Sequence, residues 1–311
     1  MNIETNIHIL DCTKIAVHYE NENYEGSSIA IDRKGDRMRG YKLSTLRGLY
    51  GDTGIIEEVK LGTASTHDLM LSKDMLINSP CLHDNDIVIM DRGFLSRELI
   101  NTLKNERNVD VYIPVRSNMD ICHVAIAMAN EIDDWKPHPT REKQMICKVS
   151  NIGEFWTETD STNNVDLNAC VVWFADTQSY AVFVTTDLSK SAKDIIKTYE
   201  LRTEIEEDFR QMKEFWKLED FKSTKLNVIA FHLVCVLYGY LFYQLYLSTE
   251  DGQCYIGKSL PVILKNQKQQ FLGYLVLFSG QYFCTMGMRE FMEFRDSCSE
   301  AIKEFILGFL N

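Results

Sequence analysis

Proline is scarce in this sequence, at 5 residues in 311, and glycine reaches only 16. A collagen-like or linker-dominated chain is excluded by those numbers. The 9 cysteines are odd in number, widely spaced and never form a C-x-x-C pair. Such spacing supports neither a zinc ribbon nor a disulfide framework, and it reads as free thiols in a reducing compartment. The opening MNIETNIHIL lacks the basic stretch and apolar core of a signal peptide. Positive charge is also short: 33 Lys+Arg against 45 Asp+Glu leaves a formal net charge of -12. Phosphate contact needs cations, so any DNA-binding surface has to be local.

What is present is ordinary for a packed soluble protein, with 45% hydrophobic and 25% charged residues. The length predicts two domains, or one large domain with an insertion. One run, Leu226 to Leu247, is long enough to cross a membrane. It also holds Asn227, His232, Gln244 and four tyrosines, Tyr238, Tyr240, Tyr243 and Tyr246. We read it as a buried core helix, with His232 a satisfied core histidine and not a metal ligand.

Along the chain, apolar runs predict a strand through Ile7–Val17, then a hairpin and a third strand through IIEEVKLGTAS. Ser65 to Ser79 begins with cap residues and continues as a helix. DIVIM is a short buried strand ending at Asp91, LSRELINTLKNER a helix, and VDVYIPVR the next strand. This order predicts a mixed sheet flanked by helices. Residues 118–183 show no long helical period and read as a β-rich insertion with a sheet of its own. The expected boundaries are 1–117 for the first part of the core, 118–183 for the insertion, 184–247 for the second part, and 248–311 for a helical C-terminal tail.

The segment Thr198 to Trp216, TYELRTEIEEDFRQMKEFW, carries the chemistry. On one helix at ~100° per residue, Tyr199, Arg202, Glu206 and Lys213 fall on one polar stripe. Leu201, Ile205, Phe209, Met212 and Trp216 form the apolar stripe beside it. A plain surface helix with an Arg202–Glu206 ion pair would look similar. The fixed spacing Tyr-x2-Arg-x3-Glu-x6-Lys is more specific.

That spacing resembles the signature of the insertion-sequence-4 family of DDE transposases. Ile205 before the Glu, Phe209 after it, and the strand AVFVTT leading into the helix fit as well. Asp11-Cys12-Thr13 on the opening strand is similar to the family's Asp-x-Thr. Asp91, followed by Arg92 and Gly93, stands where the second carboxylate is expected. The resemblance runs from about Ile7 into the 240s. It implies an RNase H-like α/β fold with a β-rich insertion before the third carboxylate.

The same resemblance implies Asp11, Asp91 and Glu206 as the catalytic and metal-binding carboxylates, holding two Mg²⁺ or Mn²⁺ ions. Hard cations take oxygen ligands, and an ion pair can activate a nucleophile and stabilise a leaving oxygen. Tyr199, Arg202, Lys213 and Arg92 are the implied DNA phosphate-binding residues; Arg offers a fork and Lys a point charge. The implied partners are transposon ends and target DNA, with a homodimer as the active complex and no membrane. The location would be the bacterial cytoplasm, on the nucleoid when DNA is bound. The basic residues Arg33, Lys34, Arg37, Arg39 and Lys42 read equally as a solvated hairpin or a DNA contact. In the family this insertion can carry an aromatic that stacks on a displaced base; Trp135, Trp156 and Trp173 are the candidates, with core packing the expected role of at least two.

Two departures stand out. Thr203 occupies a site where the family often has Trp, and only ten residues precede Asp11, so the family's N-terminal DNA-binding region is expected to be missing. A second reading is therefore a truncated, non-catalytic remnant that pairs with full-length protein through its amphipathic C-terminal segment and inhibits it, or that has no function. A third is an RNase H-like nuclease with another substrate.

Overall fold

The computed structural model describes residues 6–32, 34–51, 53–156 and 163–258, and then 262, 274–278, 281–286, 293–294, 296–300 and 303. The chain divides into two compact units, Met1–Gln253 and Cys254–Asn311.

The first unit is built on a ten-stranded sheet. In chain order it contains β1 (Ile7–Val17), β2 (Ser28–Ile31), β3 (Arg37–Tyr50), β4 (Thr53–Thr63), α1 (Asp68–Asn78), β5 (Ile87–Met90), α2 (Arg97–Arg107) and β6 (Asp110–Pro114). It continues through α3 (Asp120–Ile132), β7 (Lys136–Pro137), β8 (Gln144–Val149), β9 (Asn168–Phe174), β10 (Ser179–Thr185), α4 (Ala192–Glu200), α5 (Thr203–Glu214), α6 (Leu226–Leu247) and the short α7 (Glu250–Gln253). The strand order is β2-β3-β1-β5-β6-β10-β9-β8-β7, with β4 on the other edge of β3. β1, β5 and β6 run parallel and the remaining pairings are antiparallel. This is the RNase H-like α/β arrangement expected from the sequence.

Alternation along the strands sends side chains to two separate cores. Leu10, Val88, Met90, Val111 and Ile113 pack with residues of α1, α2 and α3 on one face. Ile9, Ile89, Tyr112 and Val172 pack with Ile195, Ile205, Phe209 and Met212 of α4 and α5 on the other, where Leu233 and Tyr240 of α6 join them. The central strands are therefore covered on both faces, as parallel strands must be.

Three expectations need correction. The strands of segment 118–183 do not form a separate sheet, because β10 pairs with β6 and carries β9, β8 and β7 onto the edge of the main one. The same segment holds a 13-residue helix, α3, whose buried face is Ile121, Cys122, Ala125 and Ala129. Small side chains weaken the hydrophobic period that would reveal it. Finally, α6 is not buried all round. Ile229, Leu233, Tyr240 and Gln244 face the core, whereas Phe231, Val234, Tyr238 and Phe242 are exposed. His232 is satisfied, as expected, donating to the Lys217 carbonyl at 3.0 Å. Among the described residues α6 alone is long and apolar enough to cross a membrane.

The second unit contains a hairpin, β11 (Tyr274–Phe278) with β12 (Gln281–Met286), and helical residues among 293–303. The sequence reading foresaw the helical character and not the hairpin.

Candidate active site

Register places the first two carboxylates side by side. β1 and β5 are parallel with Leu10 opposite Met90, so Asp11 and Asp91 are the next residues on each strand. Asp11 is 6% exposed, and its Oδ1 accepts from the Cys12 amide at 2.7 Å. Asp91 ends β5 by capping the turn that follows, accepting from the Arg92 amide at 2.7 Å. Gly93 follows in that turn, where a Cβ would meet Asp68 Oδ2 at 2.8 Å.

The signature segment is not one helix. α4 stops at Glu200 and α5 starts at Thr203. The Leu201 amide bonds the Thr198 carbonyl, the Arg202 amide bonds that of Tyr199, and the Thr203 hydroxyl donates to the Glu200 carbonyl at 3.0 Å. Leu201 and Arg202 keep right-handed helical backbone angles, so α4 passes into α5 through one tightened turn. Tyr199 thus belongs to α4, Arg202 immediately precedes α5, and Glu206 and Lys213 lie on α5 itself. The apolar stripe is as expected: Ile205, Phe209 and Met212 are buried against β1 and its neighbours.

Arg202 brings the site together. Its Nη1 donates to Asp11 Oδ2 at 2.8 Å and its Nη2 to Glu206 Oε1 at 2.8 Å. One planar fork spans both bonds, so the carboxylates lie within about 8 Å of each other. Burial pushes the Asp11 carboxyl up to about 6; Arg202 and the Cys12 amide oppose this, and the nearby Asp91 and Glu206 add to it. Tyr199 sets its ring 4.6 Å from that of Phe183 at an inclination of 46°, and desolvation pushes its hydroxyl up to about 12 against the opposing pull of Arg202. Asp11, Asp91, Glu206, Tyr199 and Arg202 therefore form one electrostatically coupled group.

Lys213 and Arg92 stand apart from that group. The Lys213 ammonium donates to the Lys14 carbonyl and pairs with Glu219 at 3.2 Å. Arg92 is exposed beside Asp91. Of the basic hairpin, Lys42 is buried against Thr66 and Asp68, and Arg39 pairs with Glu22 at 3.2 Å. Lys34 and Arg37 are exposed, and Arg33 lies outside the described residues. Trp156 is buried under Arg97, which removes it as a stacking residue.

The donor set is all-oxygen, of one charge sign, and mutually repelling at Asp11, which is the chemistry a hard divalent cation suits. Among the described residues no three His, Cys, Asp or Glu groups are gathered closely enough to hold a metal ion. Arg202 stands between Asp11 and Glu206 and supplies positive charge there.

A second network escaped the sequence reading. Arg47 of β3 donates Nε to Asp208 Oδ2 at 2.5 Å and Nη1 to Glu204 Oε2 at 2.9 Å. The Tyr240 hydroxyl donates to Asp208 Oδ1 at 2.7 Å. This clamps α5 between β3 and α6, and so fixes where Glu206 sits. The available signal was an arginine amid apolar strand residues and an aspartate beside Phe209, since buried charges demand partners.

The scaffold is RNase H-like, and Asp11, Asp91 and Glu206 gather around Arg202 on it. Residues 4–242 match the transposase DDE domain family, and the chain belongs to that family. No curated protein matches the chain.

Proposed function

We propose that the chain catalyses metal-dependent phosphodiester hydrolysis and strand transfer at transposon ends, within the insertion-sequence-4 branch of the family. The observation that carries this reading is the Asp11–Arg202–Glu206 bridge, with Asp91 next to Asp11 on the neighbouring parallel strand. Asp11, Asp91 and Glu206 would hold two Mg²⁺ or Mn²⁺ ions, which when bound would supply an activated water or 3′-hydroxyl and stabilise the leaving oxygen. Arg202 has to give up at least one carboxylate for those ligands to serve, and its freed fork then suits a phosphate. Tyr199 flanks that position, Arg92 offers an exposed guanidinium beside Asp91, and Lys213 adds charge further along α5. DNA is the substrate, and a homodimer is the working assembly.

The test is nicking of DNA that carries the element's own ends, with purified protein and Mg²⁺ or Mn²⁺. Cleavage that leaves 3′-hydroxyl ends, requires the cation, and disappears in Asp11→Asn, Asp91→Asn and Glu206→Gln supports the reading. Cleavage that survives Glu206→Gln overturns it.

A further inference from the structure

An aromatic cleft lies on the other face of the sheet. Met145 on β8 is opposite Trp173 on β9, and Trp173 is opposite Tyr180 on β10, so the three side chains share one face. Trp135, just beyond α3, brings its ring to 6.2 Å from that of Tyr180 at an inclination of 41°. With Asn130 of α3 these residues line an open cleft of about 310 Å³. Trp135 and Tyr180 pack against the core shared with α1, α2 and α3. Asp11 and Arg202 lie with α4 and α5 on the opposite face, so this cleft is separate from the carboxylate site.

An adjoining segment is acidic. Glu131, Asp133 and Asp134 fall between Asn130 and Trp135 in the chain. Lys136 is taken by Asp134 at 3.0 Å and Lys143 by Asp176 at 3.2 Å. Glu131 and Asp133 are exposed and have no ion pair among the described residues. Two exposed carboxylates therefore lie on the short segment that joins Asn130 to Trp135, both of which line the cleft.

We propose that this cleft binds a compact organic cation, an alkylated ammonium or a guanidinium group. Aromatic faces attract such a head through their quadrupole, and partial desolvation strengthens the attraction. The acidic residues Glu131 and Asp133 of the adjoining segment add long-range attraction for a cation and disfavour phosphate-bearing ligands. The inclined rings of Trp135 and Tyr180 cannot both lie flat on one planar base, whereas a compact cation is attracted by each ring face without having to lie flat on both.

Calorimetric titration of the full chain tests this, with ionic strength held constant. The probes are tetramethylammonium, N-acetyl-arginine amide as a guanidinium in a peptide setting, and adenosine monophosphate. Saturable binding of either cation, weakened about tenfold in Trp173→Ala, is expected. A Glu131→Lys/Asp133→Lys variant changes only exposed residues and should weaken it about threefold or more. Tighter binding of tetramethylammonium assigns a free alkylammonium ligand, and tighter binding of the arginine probe assigns a peptide side chain. The inference is overturned if neither cation binds saturably, if both variants bind like the parent, or if adenosine monophosphate binds as well as the cations.

Discussion

Arg202 and Asp11 are 191 residues apart in the chain and bonded at 2.8 Å in the fold. The same guanidinium holds Glu206 one helical turn away. A strand residue and a helix residue are thus tied by one rigid fork, and the tie depends on the planar geometry of arginine.

Replacing Arg202 with Lys should therefore not be conservative. A lysine keeps the charge and loses one of the two simultaneous bonds. We expect DNA cleavage to fall about a hundredfold or more while the far-ultraviolet circular dichroism stays unchanged. Nicking assays at saturating Mg²⁺ decide it: activity within a few fold of the parent would mean the fork is not required.

Much of the site was legible in the sequence because its markers are local. Tyr-x2-Arg-x3-Glu-x6-Lys lies within one segment, and Asp11 and Asp91 sit on apolar strands whose alternation is plain. The tightened turn between Glu200 and Thr203 was not legible, since no Pro or Gly marks it. Nor was the attachment of β10 to β6: the pattern predicts strands but not which edge they join. The Arg47–Asp208 pair spans 161 residues, and nothing in either neighbourhood names the partner.

That pair makes a stability prediction. Arg47 and Asp208 are nearly fully buried, and Asp208 relies on Arg47 and Tyr240 for its charge. Burial raises the Asp208 carboxyl against the opposing pull of Arg47. Arg47→Met strands the carboxylate and should cost about 3–5 kcal/mol. Adding Asp208→Leu should restore most of that loss in urea unfolding, because an apolar pair of similar volume replaces the ions. If the double variant is no more stable than Arg47→Met alone, the pair is not the source of the cost.

His8 predicts one trend with pH. The ring is fully buried, with Nδ1 2.8 Å from Glu57 and Nε2 3.2 Å from Asp86. Burial lowers its pKa, and the two carboxylates outweigh this, so the folded value lies above 6.5. The folded state then holds the proton more tightly than the unfolded chain. The resulting stability is complete below 6.5 and is lost as pH rises through the folded value. His8→Gln should remove that slope from denaturation midpoints measured between pH 6 and 9, and an unchanged slope would assign it elsewhere.

Asp11 predicts a second trend in a lower window and with a different remedy. Its folded pKa of about 6 exceeds the ordinary 3.8, so the folded state carries more protons between those values. Stability therefore falls as pH rises from about 4 to 6 and stays lower above that, by at most about 3 kcal/mol from this group alone. Asp11→Asn cannot titrate, so the difference between parent and variant midpoints should grow across that window and then level off. Carboxylates remote from the site shift both profiles alike and cancel in the difference. A divalent cation bound at Asp11 would favour the ionised form, so millimolar Mg²⁺ at pH 7 should raise the parent's midpoint and leave that of Asp11→Asn nearly unchanged. Parallel pH profiles would refute the titration of Asp11. An equal response of both proteins to Mg²⁺ would refute Asp11 as a metal ligand while leaving the pH result standing.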